Sequence, residues 1–160
     1  MAPYCFADDL SYRPLQWKVL VEGLKPSPIP SIVENTYGNW DLSVDGHMIG
    51  YWPHENYGDG FPLATELQWG GEIVNKQSKG RHTSTQMGSG QFSKEAIGKA
   101  AFISNIGLFD KDNKYSDAPE EPDGIITHPD CYDLTYWERD AQYGRYITMG
   151  GPGYDKDRCP

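Results

Sequence analysis

The sequence predicts an all-β fold, an antiparallel β-sandwich or twisted sheet, and three observations predict it. Apolar and polar residues alternate in short runs, as at Trp40, Leu42 and Val44, which is the period of a strand with one buried face. Eighteen glycines, twelve prolines and eleven tyrosines suit short strands joined by tight turns. No long helical period interrupts them, so five to seven antiparallel strands account for most of the patterned sequence.

Along the chain, residues 1–30 carry no clear period beyond an apolar patch at Trp17–Leu24, and Lys25-Pro-Ser-Pro-Ile-Pro30 reads as an extended linker. Residues 1–34 are therefore set apart from a domain spanning 35–160. Trp40–Val44 and His47–Trp52 form a strand pair about an Asp45-Gly46 turn. Gly60–Thr65 suits a helical turn or crossover. From Glu66 the side chains of Leu67, Trp69 and Ile73 point one way while Glu66, Gln68 and Glu72 point the other. A polar turn at Asn75–Arg81 then folds His82–Met87 back as an antiparallel partner. Ser93–Lys99 reads as a helical turn capped by Ser93. Lys99–Phe109 reads as one strand, with Phe102, Ile106 and Leu108 sharing a face. Lys111–His128, acidic and proline-bearing, reads as a surface loop. Cys131–Trp137 and Tyr143–Met149 are the closing strands, ending at Gly150-Gly-Pro-Gly153.

Composition bounds the function. A chain of 160 residues is one domain long and can bury a core. The formal charge of −9 argues against nucleic acid, whose phosphates it would repel, and is mainly a solubilising charge. No segment approaches the apolar length of a membrane span. Of three cysteines, Cys131 and Cys159 flank the last strand pair and can bridge, implying an oxidising compartment and leaving Cys5 over. The first residues are acidic and contain no apolar run of signal-peptide type.

The chemistry-bearing feature is Glu72. On the hairpin reading it projects from the apolar face and sits opposite Thr83 or Ser84, where hydroxyls and Gln86 can reach it. A carboxylate ringed by neutral donors suits acid–base hydrolysis.

Seven motifs follow in order: Gly38-Asn-Trp40, Ile49-Gly-Tyr-Trp-Pro53, Trp69-Gly-Gly-Glu-Ile-Val74, His82-Thr-Ser-Thr-Gln-Met-Gly-Ser-Gly-Gln-Phe92, Lys99-Ala-Ala-Phe102, Cys131-Tyr-Asp-Leu134 and Gly150-Gly-Pro-Gly153. Together they resemble the carboxy-terminal half of the neprosin domain, the plant glutamic peptidase family that cleaves after proline. The resemblance covers about residues 35–160. It implies a β-sandwich whose concave face holds two catalytic glutamates, of which Glu72 resembles the second, and an extracellular setting. It implies no cofactor and no metal. Gln86, Ser84 and Thr85 are candidate oxyanion donors by proximity on the hairpin. Trp69 and Tyr51 are candidate contacts for a proline ring, against a plain core role for both.

The departures define further expectations. Asp41 stands where the family has a second tryptophan, and Gln91 where it has histidine. The family's first glutamate belongs to an upstream half, and no matching motif precedes Glu72 here. Glu66, six residues away along the same strand, lies about 20 Å off and cannot replace it. The expected sandwich is thus incomplete, with an open edge or uncovered face that invites self-association, and truncation is the favoured explanation. Activity on proline-containing peptides then competes with a catalytically inactive module binding proline-rich peptide or cell-wall material, and with a structural fragment.

Other signals are bland. Gly98-Lys99-Ala100 lacks the frame of a phosphate loop, Ser93 standing where glycine is required. Asp110, Asp112, Ser116 and Glu121 have calcium-loop spacing, but Tyr115 occupies the glycine position. Met87-Gly-Ser89-Gly90 lacks the surroundings of a nucleophile elbow. His47, His54, His82 and His128 show no metal-ligand spacing.

Overall fold

Among the described residues of the computed structural model there are eight short strands and three 3-10 turns. It describes residues 30–44, 46–57, 67–110, 112, 114–120 and 122–160. The readings made for residues 1–29, for Gly60–Thr65 and for Glu66 lie outside the described residues. The antiparallel all-β class holds, with three small open sheets and no closed barrel among the described residues, consistent with an incomplete sandwich.

The first sheet is a meander of β1 (Pro30–Glu34), β2 (Trp40–Val44) and β3 (His47–Trp52), in that order. Strand β1 begins at the last proline of the expected linker. Gly38 takes a φ of 80° in the β1–β2 turn, a conformation open to glycine at little cost. Asn35 organises that turn: its Oδ1 accepts from the amides of Tyr37 and Asn39 at 2.9 and 3.1 Å. Its Nδ2 donates to Asp41 Oδ1 at 2.9 Å, which gives the departing Asp41 a structural use. The β2–β3 register pairs Trp40 with Trp52 and shifts by a bulge between Leu42 and Ser43.

The second sheet runs β4 (Ala101–Ile103), β8 (Gly144–Gly150), β7 (Asp133–Asp140), and β5 (Gly107–Phe109) pairs with β6 (Tyr115–Asp117) as a separate ribbon. The β7–β8 hairpin matches the closing strands read from the sequence. Lys99–Phe109 is two strands instead of one. Asn105 breaks it with a φ of 53°, which asparagine tolerates better than most residues. Its amide donates to Tyr143 O at 2.7 Å. Ile106 N still donates to Arg145 O of β8 at 3.0 Å, and from Gly107 the chain takes β6 as partner, so part of the expected acidic loop is a strand.

Ser93 does not cap a helix. It opens a three-residue 3-10 turn, Ser93–Glu95, with Phe92 in the capping position. Fully buried, Ser93 donates its amide to Asp133 Oδ1 at 2.6 Å and shares a hydrogen bond with Thr135 Oγ1 at 2.7 Å. Beside it Thr148 Oγ1 donates to Ser93 O at 2.9 Å and accepts from Trp137 Nε1 at 2.7 Å. The hydroxyls of the two fully buried members, Ser93 and Thr148, are both hydrogen-bonded, which is what lets them sit in the interior. The core around it consists of Met87, Ile103, Ile106, Ala118, Cys131, Tyr132, Ile147, Met149 and Cys159. The expected disulfide joins Cys131 to Cys159, with Cα atoms 5.1 Å apart.

Candidate functional site

Trp69 and Ile73 pack against that core and hold the Glu72 segment on the molecule. From Gly71 to Lys76 burial alternates at every residue, with Glu72, Val74 and Lys76 outward. The period-two reading therefore holds for side-chain direction, although residues 67–77 form no strand ladder among the described residues. Glu72 is exposed and hydrogen-bonds to no described residue. Its position is fixed through its neighbours while the carboxyl faces solvent.

The expected partner strand is elsewhere. Asn75–Gly80 does turn, with Gly80 N donating to Gln77 O at 3.0 Å. Asn75 Oδ1 accepts from Gln77 N at 3.0 Å and Thr83 N at 3.1 Å. Beyond that tie, His82–Met87 pairs with the chain end: Met87 N donates to Gly151 O at 3.0 Å and Tyr154 N to Thr83 O at 2.8 Å. Gly153, at φ 77°, makes this possible, because a Cβ there would lie 2.7 Å from the carbonyl oxygens of both Thr83 and Thr85. Local hairpin logic missed this partner because it lies far along the chain.

Ser84, Thr85 and Gln86 are all exposed, yet none hydrogen-bonds to Glu72. Thr85 Oγ1 shares a hydrogen bond with Thr83 Oγ1 at 2.8 Å. Thr85 O accepts from Tyr132 OH at 2.8 Å, and burial pushes the Tyr132 phenol above its ordinary pKa. The Gln86 side chain lies against Gly90. Trp69 takes the core role. Tyr51, on β3, is 55% exposed and free of the core, directly across from Asp41 in the strand register.

A groove of about 430 Å³ opens where Asn75, Arg81, His82, His128, the disulfide and Arg158 converge. Arg81 stacks over Tyr154 at 5.7 Å and Arg158 over Phe92 at 4.7 Å, so both cations are oriented by aromatic faces. His82 is 9% exposed, with its ring centroid 5.2 Å from that of His128 and 5.4 Å from that of Tyr132. A ligating nitrogen of His82 lies within 4.8 Å of both disulfide sulfurs. Sequence spacing gave no sign of this cluster, since its members come from segments joined only by tertiary structure.

Residues 27–152 match the family model described as Neprosin. That span takes in β1 through β8, the Glu72 segment and the 82–87 strip. It begins ahead of β1 and closes just past Gly151, whose carbonyl accepts from Met87 N. With most of its 160 residues matched, the chain belongs to the Neprosin family, a peptidase-like family.

Proposed function

We propose that this chain supplies the Glu72 carboxylate to a glutamic-type endopeptidase that hydrolyses proline-containing peptides on the carboxyl side of proline. The observation that carries the reading is the presentation of Glu72, exposed on an extended segment whose alternate residues, Trp69 and Ile73, are packed into the core. An ionised carboxylate takes a proton from water as the water attacks the peptide carbonyl. A second, protonated carboxyl supports the developing oxyanion and protonates the leaving amine. Two carboxyls sharing one site split their apparent pKa values, so the pair works in acid. A neutral donor such as Gln86 or Ser84 aimed at the oxyanion would contribute about 3 kcal/mol. The Cys131–Cys159 disulfide supports an oxidising, extracellular setting.

A second reading, a non-catalytic module for proline-rich peptide or cell-wall material, is favoured by two observations. Glu72 shares no hydrogen bond with another carboxyl among the described residues. Among the described residues strand β3 is an edge of its sheet, and it exposes Met48, Ile49 and Tyr51, which suits an added strand from a bound peptide or a second copy of this chain.

Incubation of the protein and Glu72→Gln with a proline-containing peptide at about pH 3 and about pH 7 separates the readings. Peptidase activity predicts cleavage after proline in acid, abolished by the amide. Peptide binding without cleavage, unchanged in Glu72→Gln, would replace the first reading with the second.

A further inference from the structure

We propose that His82, Cys131 and Cys159 form a redox-gated site for a thiophilic divalent cation, zinc above all, created when the disulfide is reduced. The proposal is independent of any role for Glu72. Its ground is geometric: the imidazole ligand atom and both sulfurs lie within 4.8 Å of one another. Zinc binds thiolate sulfur at about 2.3 Å and imidazole nitrogen at about 2.0–2.1 Å, so donors around it stand roughly 3.5–4 Å apart. Small side-chain rotations reach that spacing once the S–S bond is gone.

The histidine is already prepared. Its Nδ1 lies 3.0 Å from Thr83 O, and a carbonyl only accepts, so Nδ1 carries the proton. Nε2 is then the lone-pair nitrogen, and it is buried without a hydrogen-bond partner. A buried, unsatisfied acceptor costs stability. Donation from the other ring nitrogen to a backbone carbonyl is the arrangement that orients zinc-binding histidines and raises their basicity.

Each donor segment also has backbone ties besides the disulfide. Cys131 N donates to His128 O at 3.0 Å, while Cys159 and Asp155 exchange two hydrogen bonds of 2.9 Å. His82 N donates to Pro160 O at 3.3 Å, tying the histidine segment directly to the residue after Cys159. All three donor residues line the groove, the route by which reductant and metal would enter.

The chemistry balances with a thiol or phosphine as reductant. Two electrons cleave the S–S bond, and two protons make the thiols. A phosphine leaves as its oxide, with the oxygen and protons coming from water. Zinc then displaces both thiol protons to solvent, giving a neutral centre of one dication, two thiolates and one imidazole. Water from the groove takes the fourth position.

The test uses the full chain carrying Cys5→Ser, reduced with a water-soluble phosphine and titrated anaerobically with cobalt(II), then zinc. The proposal predicts one equivalent bound, with thiolate-to-cobalt charge transfer, the visible bands of tetrahedral cobalt and release by zinc. The oxidised protein should show neither band. His82→Ala and His82→Gln should each weaken binding at least about tenfold, and His47→Ala should leave it unchanged. Near-ultraviolet circular dichroism of the reduced protein, compared with the urea-unfolded reduced chain, reports whether the fold survives. Equal affinity in the His82 variants, equal affinity of the unfolded chain, or no tetrahedral cobalt bands after reduction would each overturn the site.

Discussion

The β1–β3 meander and the body formed by residues 67–160 are held together by different physics. All nine buried members of the apolar core come from residues 87–159, where the disulfide and the Ser93–Thr148 knot also lie. The meander contributes none of them. Its β2 residues are half-buried throughout, and β3 exposes Met48, Ile49 and Tyr51. Turn chemistry defines it: the Asn35 side chain, Gly38 and the ladders on either side of β2. Burial stabilises a region in proportion to apolar area removed from water, whereas turn hydrogen bonds set register and contribute about 1 kcal/mol each. The two regions should therefore respond very differently to truncation of an apolar side chain.

The sharpest way to break this contrast is Met149→Ala. Met149 is 1% exposed on β8, between β4 and β7. Its loss should cost about 2–5 kcal/mol, as buried large-to-small changes do. Ile49→Ala on the exposed β3 should stay within about 0.5 kcal/mol. Urea unfolding of both variants measures the difference. Comparable losses would mean that the meander's exposed face is covered in solution, which is the edge association considered above.

The same contrast governs how much was legible in sequence. Where strands neighbour each other along the chain, alternation and turn residues sufficed: β2–β3 about Gly46 and the β7–β8 hairpin stand where their patterns place them. Period two also located Glu72 outward and Ile73 inward. What failed was distant pairing. His82–Met87 follows a good turn signal, yet its partner is Gly151–Tyr154, where Gly153, lacking a Cβ, admits the close approach of the Thr83 and Thr85 carbonyls. Strand β6 escaped notice because Tyr115–Asp117 is short and mostly exposed, leaving no apolar pattern. Ser93 resembled a cap because its partners, Asp133 and Thr135, lie 40 and 42 residues away. The cluster of His82 with the disulfide is invisible for the same reason.

Within the body, Thr148→Val isolates the polar knot from the apolar core. Valine keeps the shape but leaves Trp137 Nε1 without its acceptor, while Ser93 O loses the hydroxyl and keeps the bond from Ala96 N at 3.0 Å. One indole donor left unsatisfied should cost about 1–3 kcal/mol, more than the mean value of one hydrogen bond. Thr148→Ser retains the hydroxyl and should recover most of that loss. Urea midpoints, with tryptophan fluorescence as the second reading of Trp137, check both. If valine proved neutral, the body's advantage over the meander would rest on apolar burial alone.

The smallest effect concerns alkaline pH and touches both regions. Burial raises the pKa of Tyr132 in the body and of Tyr57 beside the meander. A group with a raised folded pKa contributes stability fully present below its unfolded value, near 10, and lost as pH rises through the folded value. Stability should therefore fall above about pH 10, with νN exceeding νU in the interval between the two values. Tyr132 also donates to Thr85 O at 2.8 Å, and ionisation removes that donor. Tyr132→Phe should lower stability at neutral pH by about 1 kcal/mol and flatten the alkaline fall. Tyr57→Phe removes the other of these two phenols and reports the share of the alkaline limb that belongs to the turn after β3. Urea titrations between neutral and strongly alkaline pH, read with tyrosinate absorbance, distinguish the two variants. An alkaline limb removed by Tyr57→Phe and untouched by Tyr132→Phe would show that the meander, not the body, controls cooperative unfolding.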